Sequence, residues 1–80
     1  MTHTEIHQKL TYVFQEIFDD PALEISEATT AKDIAAWDSV THVDLIVAVE
    51  KAFGANFSTK EVKSLANVGD FIELIAKKAK

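Results

Sequence analysis

Apolar residues recur three and four apart through most of this chain, and that spacing restricts it to helices packed on one another. Ile6, Leu10, Val13, Phe14, Ile17 and Phe18 fall on a single stripe when residues are placed about 100° apart. Thr2 with Glu5 three positions on has the pattern of a capping box, so a first helix is predicted over about residues 3–18, with Pro21 stopping it. A second apolar run starts at Asp38 or Ser39 and ends before Gly54, a natural residue to close a helix after Phe53. Ser58 with Glu61 opens a short third helix that turns Val62 and Leu65 inward. Asn67 caps a fourth, whose stripe is Val68, Phe71, Ile72, Ile75 and Ala79, with Lys77, Lys78 and Lys80 at its negative end. The predicted fold class is all-α, a small four-helix bundle of three longer helices and one short one.

The pattern fails only between the first two helices. Residues 19–37, "DDPALEISEATTAKDIAAW", carry spaced apolar anchors at Leu23, Ile25, Ile34 and Trp37, and Thr30 with Asp33 can start a single turn. A connection of this length exceeds the usual range in a compact domain, which marks it as a functional or well-anchored loop.

Eighty residues make one domain, residues 1–80, because a chain this short has a poor ratio of core to surface. Such a core leaves little room for a buried, multi-residue catalytic centre. A net charge of −5, with eight lysines and no arginine, argues against nucleic acid and favours basic partners. Without cysteine the chain has no disulfide, no cysteine-based metal site and no thiol of its own. No stretch approaches a membrane span, and "MTHTEIHQKL" lacks the regions of a signal peptide, so a cytoplasmic protein without membrane insertion is expected, acting as a monomer.

The second helix presents distinct faces. Leu45, Ile46, Val49, Ala52 and Phe53 occupy one wide sector, expected to face the core. Val40, Val43 and Val47 form a separate strip on the opposite side, bordered by Asp44 and Lys51 on one flank and Glu50 on the other. Either the helix is packed nearly all round, or this strip is an exposed docking surface. At its start, "AAWDSVTHVDL" puts two good capping residues side by side, although a helix needs one. If Asp38 is the cap, Ser39 keeps a free hydroxyl at the positive end of the helix, where a phosphate would be well sited.

"DSVTHVDLIVAVEKAFG", with a long loop before it and "SLANVGDFIELI" after it, resembles the acyl carrier proteins of the phosphopantetheine-attachment family over nearly the whole chain. That family is marked by Asp-Ser-Leu opening its second helix. The resemblance implies that Ser39 is esterified by the phosphate of 4′-phosphopantetheine, taken from coenzyme A, whose thiol then holds acyl or aminoacyl cargo as a thioester. It implies that Asp38 is the acidic neighbour read by the phosphopantetheinyl transferase. It assigns Val40, Val43, Asp44, Val47 and Glu50 to partner docking, and Leu45, Ile46 and Val49 to an acyl pocket. The remaining partners implied are a ligase that loads the thiol and transferases or synthases that take the cargo on. Two departures point away from the housekeeping fatty-acid carrier and toward a specialised stand-alone one: Val40 replaces the usual Leu, and Trp37-Asp38-Ser39 replaces a Gly-Ala-Asp-Ser start. The second helix is also thin in acids, with Lys51 and Ala52 where acids are usual.

Three competing readings can be set beside this one. Ser39 and His42 share a helix face as a hydrolase pair would, but no orienting group or oxyanion hole accompanies them. His3 and His7 are spaced like helical metal ligands without a third ligand of suitable type. The remaining alternative is an unmodified helical interaction domain.

Overall fold

Each helix begins where a side chain can take up the backbone N–H groups that a first turn leaves unpaired. In the computed structural model, which describes residues 2–78, α1 runs His3–Ile17. Thr2 Oγ1 accepts the Glu5 N–H at 3.1 Å and the Glu5 carboxylate accepts the Thr2 N–H at 2.9 Å, closing the expected box. Its other end departs from expectation. Pro21 is not the brake: Asp19 turns into the left-handed region at φ 50°, its N–H reaches Glu16 O at 3.3 Å, and Asp20 N–H reaches Gln15 O at 3.0 Å. This closure satisfies the last carbonyls before the proline is reached, at a residue type that tolerates positive φ.

Helix α2 spans Ser39–Phe53 and closes in the same manner on Gly54, at φ 63°, with Ala55 N–H on Glu50 O at 3.0 Å. Helix α3, Thr59–Lys63, is one turn held by the reciprocal Ser58 and Glu61 bonds of 3.2 and 2.8 Å. Helix α4, Val68–Lys78, starts on Asn67, whose Oδ1 accepts the Asp70 N–H at 2.9 Å. Lys78 at its end pairs with Glu61 of α3 at 3.0 Å. Ala79 and Lys80 lie outside the described residues. The fold is all-α, four helices with a long loop between α1 and α2.

Helix α1 packs against both α2 and α4. Ile6, Leu10 and Phe14 meet Leu45 and Val49 of α2 and Phe71, Ile72 and Ile75 of α4 in one core, all at 0 or 1% exposure. Each such side chain contributes about 1.5–3 kcal/mol by leaving water. Ile17, Phe18, Leu23, Ala52, Val62 and Leu65 pack half-buried around its edge.

The loop is tied into this core. Ile25, Ile34 and Trp37 are buried, and Trp37 meets Phe14 edge to face, with ring centres 5.3 Å apart. Thr30 and Asp33 form the expected turn. The remaining ties were not visible in the sequence. The His7 ring Nε2 donates to Ile25 O, and Gln15 Nε2 donates to Leu23 O at 3.0 Å. Val68 and Gly69 N–H groups, left free by the first turn of α4, donate to Thr29 O and Glu27 O, both at 2.9 Å. The chains run so close that a Cβ at Gly69 would stand 3.1 Å from Glu27 O. The loop therefore delivers Trp37 to the mouth of α2 along a path held at several points.

Candidate functional site at the head of the second helix

Asp38 is the cap and Ser39 is the first helical residue. Asp38 Oδ1 accepts the N–H groups of Val40 and Thr41, each at 3.0 Å. Thr41 completes the box in place of the usual glutamate: its hydroxyl oxygen accepts the Asp38 N–H at 2.8 Å while its proton goes to Ala36 O at 2.8 Å. The Thr41 N–H above all, and then the Val40 N–H, hold Asp38 below the usual carboxylate range against the opposing effect of desolvation. Asp38 Oδ2 and the Ser39 hydroxyl take no hydrogen bond among the described residues, and both side chains are exposed. The duplication of capping residues is thereby accounted for: one caps, and the other is free.

Trp37, Asp38, Ser39 and His42 line a shallow, mostly apolar depression with Ala31 of the loop. Trp37 Nε1 donates to His42 Nδ1 at 3.0 Å. An indole nitrogen only donates, so Nδ1 must be the acceptor and the neutral imidazole carries its proton on Nε2. In a Ser-His hydrolase the arrangement is the reverse, with Nδ1–H donating to an acid and a bare Nε2 facing the serine. The pairing of Ser39 and His42 as nucleophile and base is therefore set aside on chemical grounds.

Farther along α2 the strip is exposed: Val40 is 72%, Val43 61% and Val47 44% accessible, so the helix is not packed all round. Asp44 and Lys51 flank it in solvent. Glu50 is different from its reading as a border charge alone. It is half-buried, and its Oε2 accepts the Phe57 N–H at 2.9 Å, tying α2 to the segment before α3. Leu45, Ile46 and Val49 are closed into the core at 0, 7 and 0% exposure. No group of three potential metal ligands occurs among the described residues, and one ring nitrogen of His7 is committed to Ile25. No helix in the described residues is long and apolar enough to cross a membrane.

Thr41, and the bond that Trp37 makes to His42, are what sequence reasoning did not place here. Thr41 had a local signal, a hydroxyl three residues after a cap. Trp37 had none for its bond to His42, because it stands outside the helix whose periodicity relates the other residues.

No protein-family model matches the sequence. Individual proteins do. The chain is 37% identical over 73 residues to acyl carrier protein 2 of Ralstonia nicotianae, covering 90% of this chain and 89% of that one. It is 34% identical over 79 residues to the acyl carrier protein of Thermosynechococcus vestitus, covering 98% and 96%. The solution structure of a holo acyl carrier protein from Geobacter metallireducens superposes with a TM-score of 0.84 at 41% identity, covering 89% of this chain and 82% of that one. Proteins of this kind carry a covalent 4′-phosphopantetheine and are carriers without catalysis of their own. Near-complete coverage by these relatives, together with the shared four-helix fold, means that the chain belongs to the acyl carrier protein family.

Proposed function

We propose that Ser39 bears the 4′-phosphopantetheine of this carrier, installed from coenzyme A by a phosphopantetheinyl transferase. The observation that carries the reading is the division of labour at the head of α2. Asp38 and Thr41 satisfy each other and the first turn, leaving the Ser39 hydroxyl exposed and without a partner among the described residues. These residues fit the group: an open hydroxyl can enter a transferase site, and a phosphodiester formed there lies at the positive end of a helix. When bound, the group supplies the thiol that holds the cargo, in a chain with no cysteine. Asp38, held ionised with Oδ2 open to solvent, is the acid that the transferase reads.

Val40, Val43 and Val47, with Asp44 beside them, form the face on which loading and receiving enzymes dock. Glu50 joins that border only in part, since its carboxylate also holds Phe57. Leu45, Ile46 and Val49 line an acyl pocket that forms only when the bundle parts. An apolar acyl chain repays that opening by about 0.8 kcal/mol per buried methylene, and a polar aminoacyl group repays little. The Trp37-Asp38-Ser39-Val40 start, with Asp44 and Glu50 the only acids of α2, supports a specialised stand-alone carrier of acyl or aminoacyl cargo. We read it as a single-domain cytoplasmic monomer, served by a dedicated ligase and by downstream transferases or synthases.

Intact mass before and after incubation with coenzyme A and a phosphopantetheinyl transferase tests the attachment. The chain should gain one phosphopantetheine, and Ser39→Ala should fold normally and gain none. Full modification of Ser39→Ala would overturn the assignment.

A further inference from the structure

His42 stands one helical turn after Ser39 and is held between two aromatic neighbours. Its ring lies nearly coplanar with the Trp37 indole, edge to edge, with centres 6.1 Å apart and planes 17° from parallel. Phe71 of α4 meets it at 6.0 Å and 65°. Trp37 Nε1 occupies Nδ1 at 3.0 Å. The indole sets the tautomer, so the remaining nitrogen, Nε2, is an N–H donor. Nε2 has no partner among the described residues, yet the half-buried ring is not among buried polar groups left unsatisfied, so this N–H is open to solvent. His42, its tautomer set by that bond, thus lines the same depression as Ser39. Side chains three residues apart on a helix have Cβ atoms about 5–6 Å from one another, a gap that a phosphate on the serine oxygen can span.

We propose that His42 is a positioning residue for the phosphodiester on Ser39, donating its Nε2–H to a non-bridging phosphate oxygen. The inference rests on the attachment reading above. In this arrangement Trp37 acts through His42: by occupying Nδ1 it keeps the proton on the nitrogen that serves the phosphate, and the same in-plane bond fixes the orientation of the ring. Asp38, the charged group that shares the depression, takes the Val40 and Thr41 N–H groups through Oδ1, which leaves Oδ2 as the other acceptor near that proton until the phosphate is in place. The result is a prosthetic arm whose first bonds leave the surface in a set direction.

The full ¹⁵N-labelled chain, measured before and after modification with coenzyme A and a phosphopantetheinyl transferase, tests this. Intact mass gives the attachment, and the imidazole ¹⁵N and ¹H signals give the contact. On modification the His42 Nε2 proton should move downfield and exchange with water more slowly, while the His3 and His7 ring signals stay in place. The ³¹P signal of the modified chain should differ from that of modified His42→Leu, and His42→Gln, which keeps an N–H donor, should restore part of the difference. A chain that gains mass at Ser39 with its His42 signals unmoved overturns this inference and leaves the attachment standing. A chain that gains no mass overturns both. The ring measurement uses the unsubstituted protein, so the test holds even if His42→Leu fails to fold.

Discussion

Trp37 Nε1 and His42 Nδ1 lie 3.0 Å apart, and this bond joins the end of the long loop to the first turn of α2. The indole is 6% exposed, so its N–H depends on that acceptor. His42→Leu should cost about 1–3 kcal/mol, the range for a polar group left buried and unpaired. His42→Gln, whose amide oxygen can accept, should cost less. Urea unfolding of the two variants checks the order, and equal losses would mean that the packing of the ring matters and the bond does not.

The two capping residues should separate cleanly in stability. Asp38→Ala removes the acceptor of the Val40 and Thr41 N–H groups and should cost about 1 kcal/mol, within the 0.5–2 range for lost caps. Ser39→Ala removes a hydroxyl with no partner among the described residues and should stay within about 0.5 kcal/mol of the parent. Chemical denaturation of both reads this difference without reference to any modification.

Adjacent residues on α2 should respond oppositely to the same charge. Val47 is 44% exposed, so Val47→Asp places a carboxylate in water and should melt near the parent while being modified or loaded poorly. Ile46 is 7% exposed, and Ile46→Asp must desolvate an unpaired carboxylate or keep it protonated, losing the cooperative transition. A large melting loss in Val47→Asp would withdraw the docking face.

Acid should unfold the protein partly through its caps. Backbone N–H groups hold three carboxylates below their ordinary values of 4.5 for Glu5 and Glu61 and 3.8 for Asp38, through Thr2, Ser58 and Thr41 respectively, with Lys78 adding to Glu61. A lowered carboxylate stabilises the fold in full above its unfolded value, and the contribution disappears as pH falls through the folded value. Stability should therefore be level in this respect above about pH 5 and fall below about pH 4. Glu5→Gln and Glu61→Gln should each flatten that fall when unfolding is followed across the acid range.

Encounter with loading enzymes should depend on charge. Asp38 and Asp44 stand exposed on or beside the docking face in a chain of net charge −5, and exposed charges act mainly on association rate. Loading should slow as salt rises, and Asp44→Lys should slow it most at low salt. The exposed Lys51 on the same flank offsets part of the field, so the slope should be shallow. Rates indifferent to both salt and reversal would mean that apolar contact alone is read.

The helices, the caps at Thr2, Ser58 and Asn67 and the core stripe were legible in the sequence, because each is written in spacings of three and four residues, whereas the closure of α1 at Asp19 and the part of Thr41 in the α2 cap were not. Thr2 with Glu5, Ser58 with Glu61, and Asp38 before Ser39 are local pairs whose partners lie within one turn. The exposed valines of α2 were separable from Leu45, Ile46 and Val49 for the same reason: one helix period sorts them. Whether that strip stayed in solvent was decided by the packing of α1, which buries the opposite face and leaves this one uncovered. The fold alone also decided the contacts that join segments with no shared period. Val68 and Gly69 meet the carbonyls of Thr29 and Glu27, Glu50 meets the Phe57 N–H, and Trp37 meets His42. Backbone groups carry no residue identity, and a loop residue has no register relative to a helix, so partners of this kind are chosen only when the chain closes on itself and every buried donor must find an acceptor.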